Sequence, residues 1–461
     1  MADRSPLALL VVLVAILIAL GGLTYIWLSA QRPGGGPPGN TTVVLTPLRT
    51  GLPYPIALAF APDGRVFYAE RFSGKIQILG NATTPESTFF TVPGIASAGE
   101  RGLLGLALDP DFANSSYVYA YQTYNDAVSG TIYNRIIRIL ADGDTGLFDS
   151  VILRMPPLTG ATNHNGGVIA FGPDGKLYAV VGENANPALS QDPMSPMGKV
   201  LRMNRNGSAP TDNPFYNNPN WNNLTYTYGH RNMFGLAFHP SDGRPYATEN
   251  GPSCNDEVNR LNSGGNFGWG SNQTCSEPPA PPANTNQDGP NPVVFPIRWY
   301  DPVIVPTNAA FYTASVPASS QGHLVVGSYA DRGLHDLTLD PVDGSSVINE
   351  AILATAVAPI IDVEMGLDGY LWVTTPSAIY RLVPAPAPVS AFPAVSLPIA
   401  GFAMSLVAPA TRVDQRNRHR CDERNTDHPG SLSRGRGVSA ARCRRIGSRA
   451  TPASGNLSLG S

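Results

Sequence analysis

The chain has 461 residues, of which 42% are hydrophobic and only 14% charged, with 47 glycines and 44 prolines. Such a length buries a large core, in one big domain or two modest ones, and the glycine and proline content argues for a turn-rich all-β protein and against a helical one. The formal net charge of −3 divides unevenly: from Arg412 onward eleven arginines meet four acids, leaving 20 basic against 30 acidic residues before it. The body therefore lacks the basic face that nucleic acid would require.

In chain order, Leu7–Leu28 is a run of 22 residues without a charge, enough to span a bilayer. Leu28-Ser29-Ala30 makes a poor cleavage site, so residues 1–30 are predicted to be an uncleaved transmembrane anchor in the cell membrane. Asn40, Asn81, Asn114, Asn206, Asn223, Asn272 and Asn456 all head N-x-S/T sequons, which places the body on the extracytoplasmic side. Residues 31–42 form a Gly/Pro linker.

The body, residues 43–383, repeats one pattern: a short β-rich run, a turn that usually carries Asp-Gly, and a second β-rich run. The units centre on Asp63-Gly64, Asp109-Pro110, Asp174-Gly175, Asp242-Gly243, His323–Gly327 and Asp368-Gly369. Asp-Gly between such runs is a strong hairpin signal. Six such units predict a six-bladed β-propeller, with a sandwich or two stacked β-domains as alternatives. The fifth unit lacks the Asp-Gly turn. Residues 384–461 begin Pro-rich and become Arg-rich without apolar periodicity, and are predicted to be a disordered tail. Of four cysteines, Cys421 and Cys443 fall in that tail. Cys254 and Cys275 are either a disulfide, if the body is exported, or two buried thiols.

Three stretches could carry chemistry. His164 sits in Asn163-His164-Asn165-Gly166-Gly167, a turn rather than a strand face, and neutral imidazole is a suitable general base. Its bland reading is a loop histidine bonding its own turn. Arg231, in Tyr228-Gly229-His230-Arg231-Asn232, is a candidate cation or a structural ion-pair partner. Glu249–Glu257 offers carbonyls on a Gly251-Pro252 turn with acids nearby, either a hard-cation site or a solvated loop.

Together with Glu100–Leu106, Gly198–Phe215, Gly264–Trp269 and Leu367–Thr375, these runs resemble the soluble quinoprotein glucose dehydrogenases, also called glucose/sorbosone or aldose sugar dehydrogenases. The resemblance covers about residues 45–383 and implies a six-bladed propeller that oxidises a sugar. It implies pyrroloquinoline quinone (PQQ) as electron acceptor and Ca²⁺ holding it, with a further, unspecified acceptor beyond. On the matching positions, His164 would take the anomeric hydroxyl proton and Arg231 would stabilise charge developing on the quinone oxygen. Gly251 and Pro252 carbonyls would ligate Ca²⁺, Asn232 and Asn250 would line the cofactor pocket, and Glu100 and Asn163 would contact substrate. Arg332 would be the surviving basic group of a further cofactor strand.

One departure stands out. An arginine pair that would grip the quinone carboxylates is replaced by Pro359 and Ile361, and loss of two bidentate contacts weakens binding of a trianion. The competing expectations are a membrane-anchored PQQ-dependent sugar dehydrogenase and a cofactor-free propeller acting as an extracellular carbohydrate- or protein-binding module. A Ca²⁺-dependent lactone hydrolase is a third, by fold analogy alone.

Overall fold

The computed structural model describes residues 42–80, 85–271 and 288–386. They form six four-stranded antiparallel sheets. The innermost strands, in chain order, are Pro55–Phe60, Leu103–Leu108, Ile169–Phe171, Met233–Phe238, Pro306–Phe311 and Asp362–Met365. Each touches the next and the last touches the first, so the sheets close into a ring of six blades. The sixth blade takes its outermost strand, Val43–Thr50, from the start of the body, paired antiparallel with Ala378–Pro384. Joining the two ends of the body in one sheet removes the open seam of the ring.

Every predicted hairpin joins an innermost strand to the second strand of one blade. Asp63, Asp174, Asp242 and Asp368 each accept, on Oδ1, the backbone N–H two residues on, at 3.0–3.1 Å. The glycine between adopts φ of +92°, +69°, +72° and +78° in the same order. The aspartate thus satisfies the turn's free N–H, and glycine accepts a left-handed backbone without a Cβ penalty. In the fifth blade a longer connection, with a short 3-10 turn at Ala318–Ser320, replaces this device.

The core is divided among the blade interfaces. Period-2 alternation sends neighbouring residues of a strand to opposite sheet faces. Ala57 and Ala59 pack with Leu103, Leu106 and Ile137 of the second blade, while Leu58 packs with Trp372 and Ile379 of the sixth. Corresponding clusters fill the four remaining interfaces.

Among the described residues no helix is long and apolar enough to cross a membrane. The predicted anchor at residues 1–30, the linker to residue 41 and the tail from 387 lie outside the described residues.

Candidate functional site on one face of the propeller

In an antiparallel blade, the segment entering the innermost strand and the segment leaving the second strand lie at the same end. The described residues selected as catalytic, cofactor-binding, substrate or metal positions fall on such segments. Glu100, His164, Arg231, Asn232 and the Pro359–Ile361 run precede innermost strands; Asn250, Gly251, Pro252 and Arg332 follow second strands. Six separate stretches of chain are thereby brought to one face.

His164 adopts φ +57° and is 7% exposed. Its backbone N–H donates to Glu100 Oε2 at 2.7 Å, and the same oxygen accepts Asn232 Nδ2 at 3.1 Å. Tyr121 Oη donates to the Asn165 carbonyl at 2.9 Å. The two glycines that follow permit close backbone contact: a Cβ on Gly166 would lie 2.5 Å from the Val180 carbonyl oxygen, and one on Gly167 2.4 Å from Leu104 Cβ. The histidine is therefore fixed by its turn and by three blades.

Its Nδ1 lies 2.9 Å from Glu183 Oε1. A carboxylate only accepts, so Nδ1 carries the proton and Nε2 presents its lone pair. Glu183 is 1% exposed, and its other oxygen accepts the Asn186 N–H at 3.0 Å. Sequence reasoning did not single out Glu183, although a signal was present. His230 and Glu249 repeat the arrangement 19 residues apart, as His164 and Glu183 are, with Nδ1 2.8 Å from Glu249 Oε2. The two pairs differ at the other ring nitrogen. His230 Nε2 is 2.9 Å from Thr227 Oγ1, its ring stacks on Phe267 at 4.5 Å, and the residue is fully buried. His164 Nε2 has no hydrogen-bond partner among the described residues. His230 is thus held at both ring nitrogens, whereas His164 leaves Nε2 open.

Arg231 donates from Nη1 to the carbonyls of Asn250 and Gly251, both at 2.8 Å. Its backbone N–H is held by Glu249, and its guanidinium lies 5.4 Å from the Trp269 ring centroid. Burial lowers its pKa, while Glu183, Glu249, Glu100 and Asp256 act in the opposite sense. Asp256 accepts the N–H groups of Gly251 at 2.8 Å and Val305 at 2.6 Å, and burial raises its carboxyl above the usual range.

Next to this cluster the centre of the ring holds a cavity of about 290 Å³. Glu100, Arg71, Tyr54, Ile361, Asp362 and Glu364 contribute to its wall. Asn308 Nδ2 donates to Asp362 Oδ1 at 2.7 Å and to Glu364 Oε1 at 3.1 Å. Burial raises both carboxyls, Glu364 further because Asp362 is beside it.

The remaining selected residues are placed as follows. Asn163 is half-buried, and its carbonyl accepts Asn184 Nδ2 at 3.4 Å. Pro252 is exposed. Arg332 is exposed at φ +65° and is not on the cavity wall; its neighbour Asp331 is engaged with His335 Nε2 at 3.0 Å. Pro359 is half-buried, while Ile361 is 9% exposed and lines the cavity, so this edge offers no cation. Cys254 is disulfide-bonded; Cys275 lies outside the described residues. Peptide mapping under non-reducing conditions is expected to join Cys254 to Cys275, and Cys254→Ser to cost about 2–4 kcal/mol of stability in denaturant titration.

Two observations bear on whether this face suits a quinone and a hard cation. Asn250 is buried with both side-chain atoms, Oδ1 and Nδ2, unpartnered, and such atoms are retained when a ligand satisfies them. The Asn250 and Gly251 carbonyls already converge on a cationic group, the Arg231 guanidinium, which is the donor chemistry of a Ca²⁺ site. Among the described residues no group of three or more His, Cys, Asp or Glu could hold a metal, so any cation here relies on backbone carbonyls. The unpartnered Asn250 fits a polar cofactor, with a weaker grip at the Ile361 edge, and the two carbonyls would serve a cation only in exchange for the Arg231 guanidinium.

Fold and site together define a six-bladed propeller with an imidazole–carboxylate pair beside its central cavity. A family model described as glucose / sorbosone dehydrogenase matches residues 52–383, and the chain belongs to that family. The aldose sugar dehydrogenase of Escherichia coli is 30% identical over 344 residues, covering 72% of this chain and 90% of that protein. Quinoprotein glucose dehydrogenase B of Acinetobacter calcoaceticus is 34% identical over 240 residues, 47% of this chain and 50% of its own length. Among solved structures, the PQQ-bound form of the aldose sugar dehydrogenase of Streptomyces coelicolor is 30% identical, with a TM-score of 0.62, covering 75% of this chain and 99% of that one.

Proposed function

We propose that the protein oxidises the anomeric hydroxyl of an aldose, with PQQ as electron acceptor and Ca²⁺ beside it, while residues 1–30 anchor it with the propeller on the extracytoplasmic side. The observation that carries this reading is the free Nε2 of His164 opposite an Nδ1 tied to Glu183. When bound, the quinone supplies the two-electron acceptor for the hydride leaving sugar C1. The chain supplies the rest. His164 Nε2 takes the C1 hydroxyl proton, leaving the lactone carbonyl, and Glu183 stabilises the imidazolium so formed. Glu100 and Asn232 hold the histidine turn in place. Arg231 and Asn250 would face the cofactor, and the Gly251 and Pro252 carbonyls the cation.

The test is to add the quinone and Ca²⁺ to the full-length protein and follow quinone absorbance and dye reduction with aldoses. Saturable binding and sugar-dependent reduction are expected; absence of binding at high micromolar quinone refutes the reading. A cofactor-free binding module is the second reading, favoured by the apolar Ile361 on the cavity wall. Ile361→Arg separates the two: under the first it tightens quinone binding about tenfold, the value of one added charge-assisted contact, and under the second it changes nothing.

A further inference from the structure

The run Gly198–Phe215 contributes no group to the cluster around His164, yet it opens on a lysine in an unusual place. Lys199 begins the third strand of the third blade, Lys199–Met203, and is fully buried. Its ammonium donates to three backbone carbonyls, those of Leu189 at 2.8 Å and of Ser190 and Met197, both at 2.9 Å. Three acceptors match the three donors of a lysine. Burial pushes its pKa down to about 7, with Asp192 acting in the opposite sense, and the three carbonyl acceptors favour the charged form. Methionine would fill the same space without taking a charge out of water, which is costly. The three bonds are therefore what the lysine adds.

All three carbonyls belong to the loop that joins Leu177–Val181 to Lys199–Met203. Leu189 and Ser190 lie in its short helix, Ala188–Gln191, at whose end carbonyls lack an intrahelical partner. From this loop, bonds run to the site. The Leu189 N–H donates to the Asn186 carbonyl at 3.0 Å, and the Asn186 N–H donates to Glu183 Oε2, also at 3.0 Å. The Glu183 N–H donates to the Arg231 carbonyl at 2.9 Å. Ser190 Oγ donates to the carbonyl of His230, the residue before Arg231, at 2.8 Å. From this geometry we infer that Lys199 is a positioning residue for the base. Its buried ammonium clamps the loop, so that Asn186 holds Glu183 and Glu183 holds Nδ1 of His164. The inference rests on the reading of His164 as the group that takes the C1 hydroxyl proton. A carboxylate fixed at one oxygen by the loop presents the other to the imidazole in one orientation, which sets the tautomer that leaves Nε2 open.

The clamp can be tested without turnover. The full-length protein, carrying isotope-labelled histidine and without quinone or added Ca²⁺, is studied by NMR near neutral pH. The Nδ1 proton of His164, held by Glu183, is expected as a slowly exchanging imidazole resonance that is absent in His164→Asn. In Lys199→Met its exchange should quicken at least about tenfold as the loop opens. Lys199→Gln, which keeps a shorter donor, is the second variant and should move the same resonance in the same direction. Val326→Ala is the control: it empties a fully buried site in the fifth blade, lowering stability without touching the loop, and should leave the His164 proton unchanged. An unaltered His164 proton in both lysine variants, or equal acceleration in Val326→Ala, overturns the proposal. Failure of both lysine variants to fold makes Lys199 a requirement of the fold and overturns it too. Because no cofactor is present, a failure of quinone binding leaves this result interpretable. Failure here leaves the dehydrogenase reading standing, with His164 held by its own turn.

Discussion

Replacement of His164 by alanine is expected to lower kcat/KM for aldose oxidation by about 10²- to 10⁴-fold, the contribution of a positioned general base. The loss should fall on kcat, since the imidazole acts as the proton leaves. Glu183 cannot take over directly: it is 1% exposed behind the ring, and one of its oxygens is occupied by the Asn186 N–H. Alanine also sits poorly at φ +57°, which costs roughly 1–2 kcal/mol. His164→Asn, better suited to a left-handed backbone, is therefore the companion variant. Both should retain the folded circular dichroism signal and lose turnover. Activity near the unmodified level in either variant removes His164 from the mechanism.

The second large effect is expected at the look-alike. His230→Ala should cost about 3–5 kcal/mol of stability, the range for emptying a buried ring site and orphaning its polar partners. His230 is fully buried, bonded through both ring nitrogens and stacked on Phe267. Its partner Glu249 also holds the Arg231 backbone and Asn259 Nδ2, so the loss spreads to the residue that meets the two carbonyls. A shifted urea midpoint with unchanged m-value is the expected reading. A midpoint within error of the parent would show that the ring is dispensable. The two histidines share a local pattern and a 19-residue offset to a glutamate, yet one substitution is read in turnover and the other in stability. What separates them is the partner of Nε2.

Much of the scaffold was readable from local chemistry. Alternating β-rich runs around Asp-Gly turns identify hairpins because the turn residue types and the period of two act within about ten residues. Four of the six blades declare themselves in this way, and the second through Asp109-Pro110 between two β-rich runs. The fifth does so weakly, since its connection from Phe311 to Leu324 uses Ala318–Ser320 and not an Asp-Gly turn. The strand Val43–Thr50 could not be assigned to the last blade by any local rule, because its partner, Ala378–Pro384, lies at the far end of the body.

The candidate site shows the same division. By itself the sequence determined that His164 lies on a glycine-flanked turn and that Arg231 precedes a strand, which are properties of residue type and of neighbours a few positions away. That Pro359 and Ile361 stand where a cationic pair would be expected followed from the family resemblance. Only the tertiary structure decided that Glu183 orients His164, that His230 is spent on Thr227 and Glu249, and that Glu100 supports the histidine turn from another blade. It also decided that Arg231 comes to the cluster while Arg332 remains exposed off the cavity wall. The reason is topological: segments from six blades meet only when the ring closes, and a side chain's free or occupied nitrogen depends on which segment it meets there.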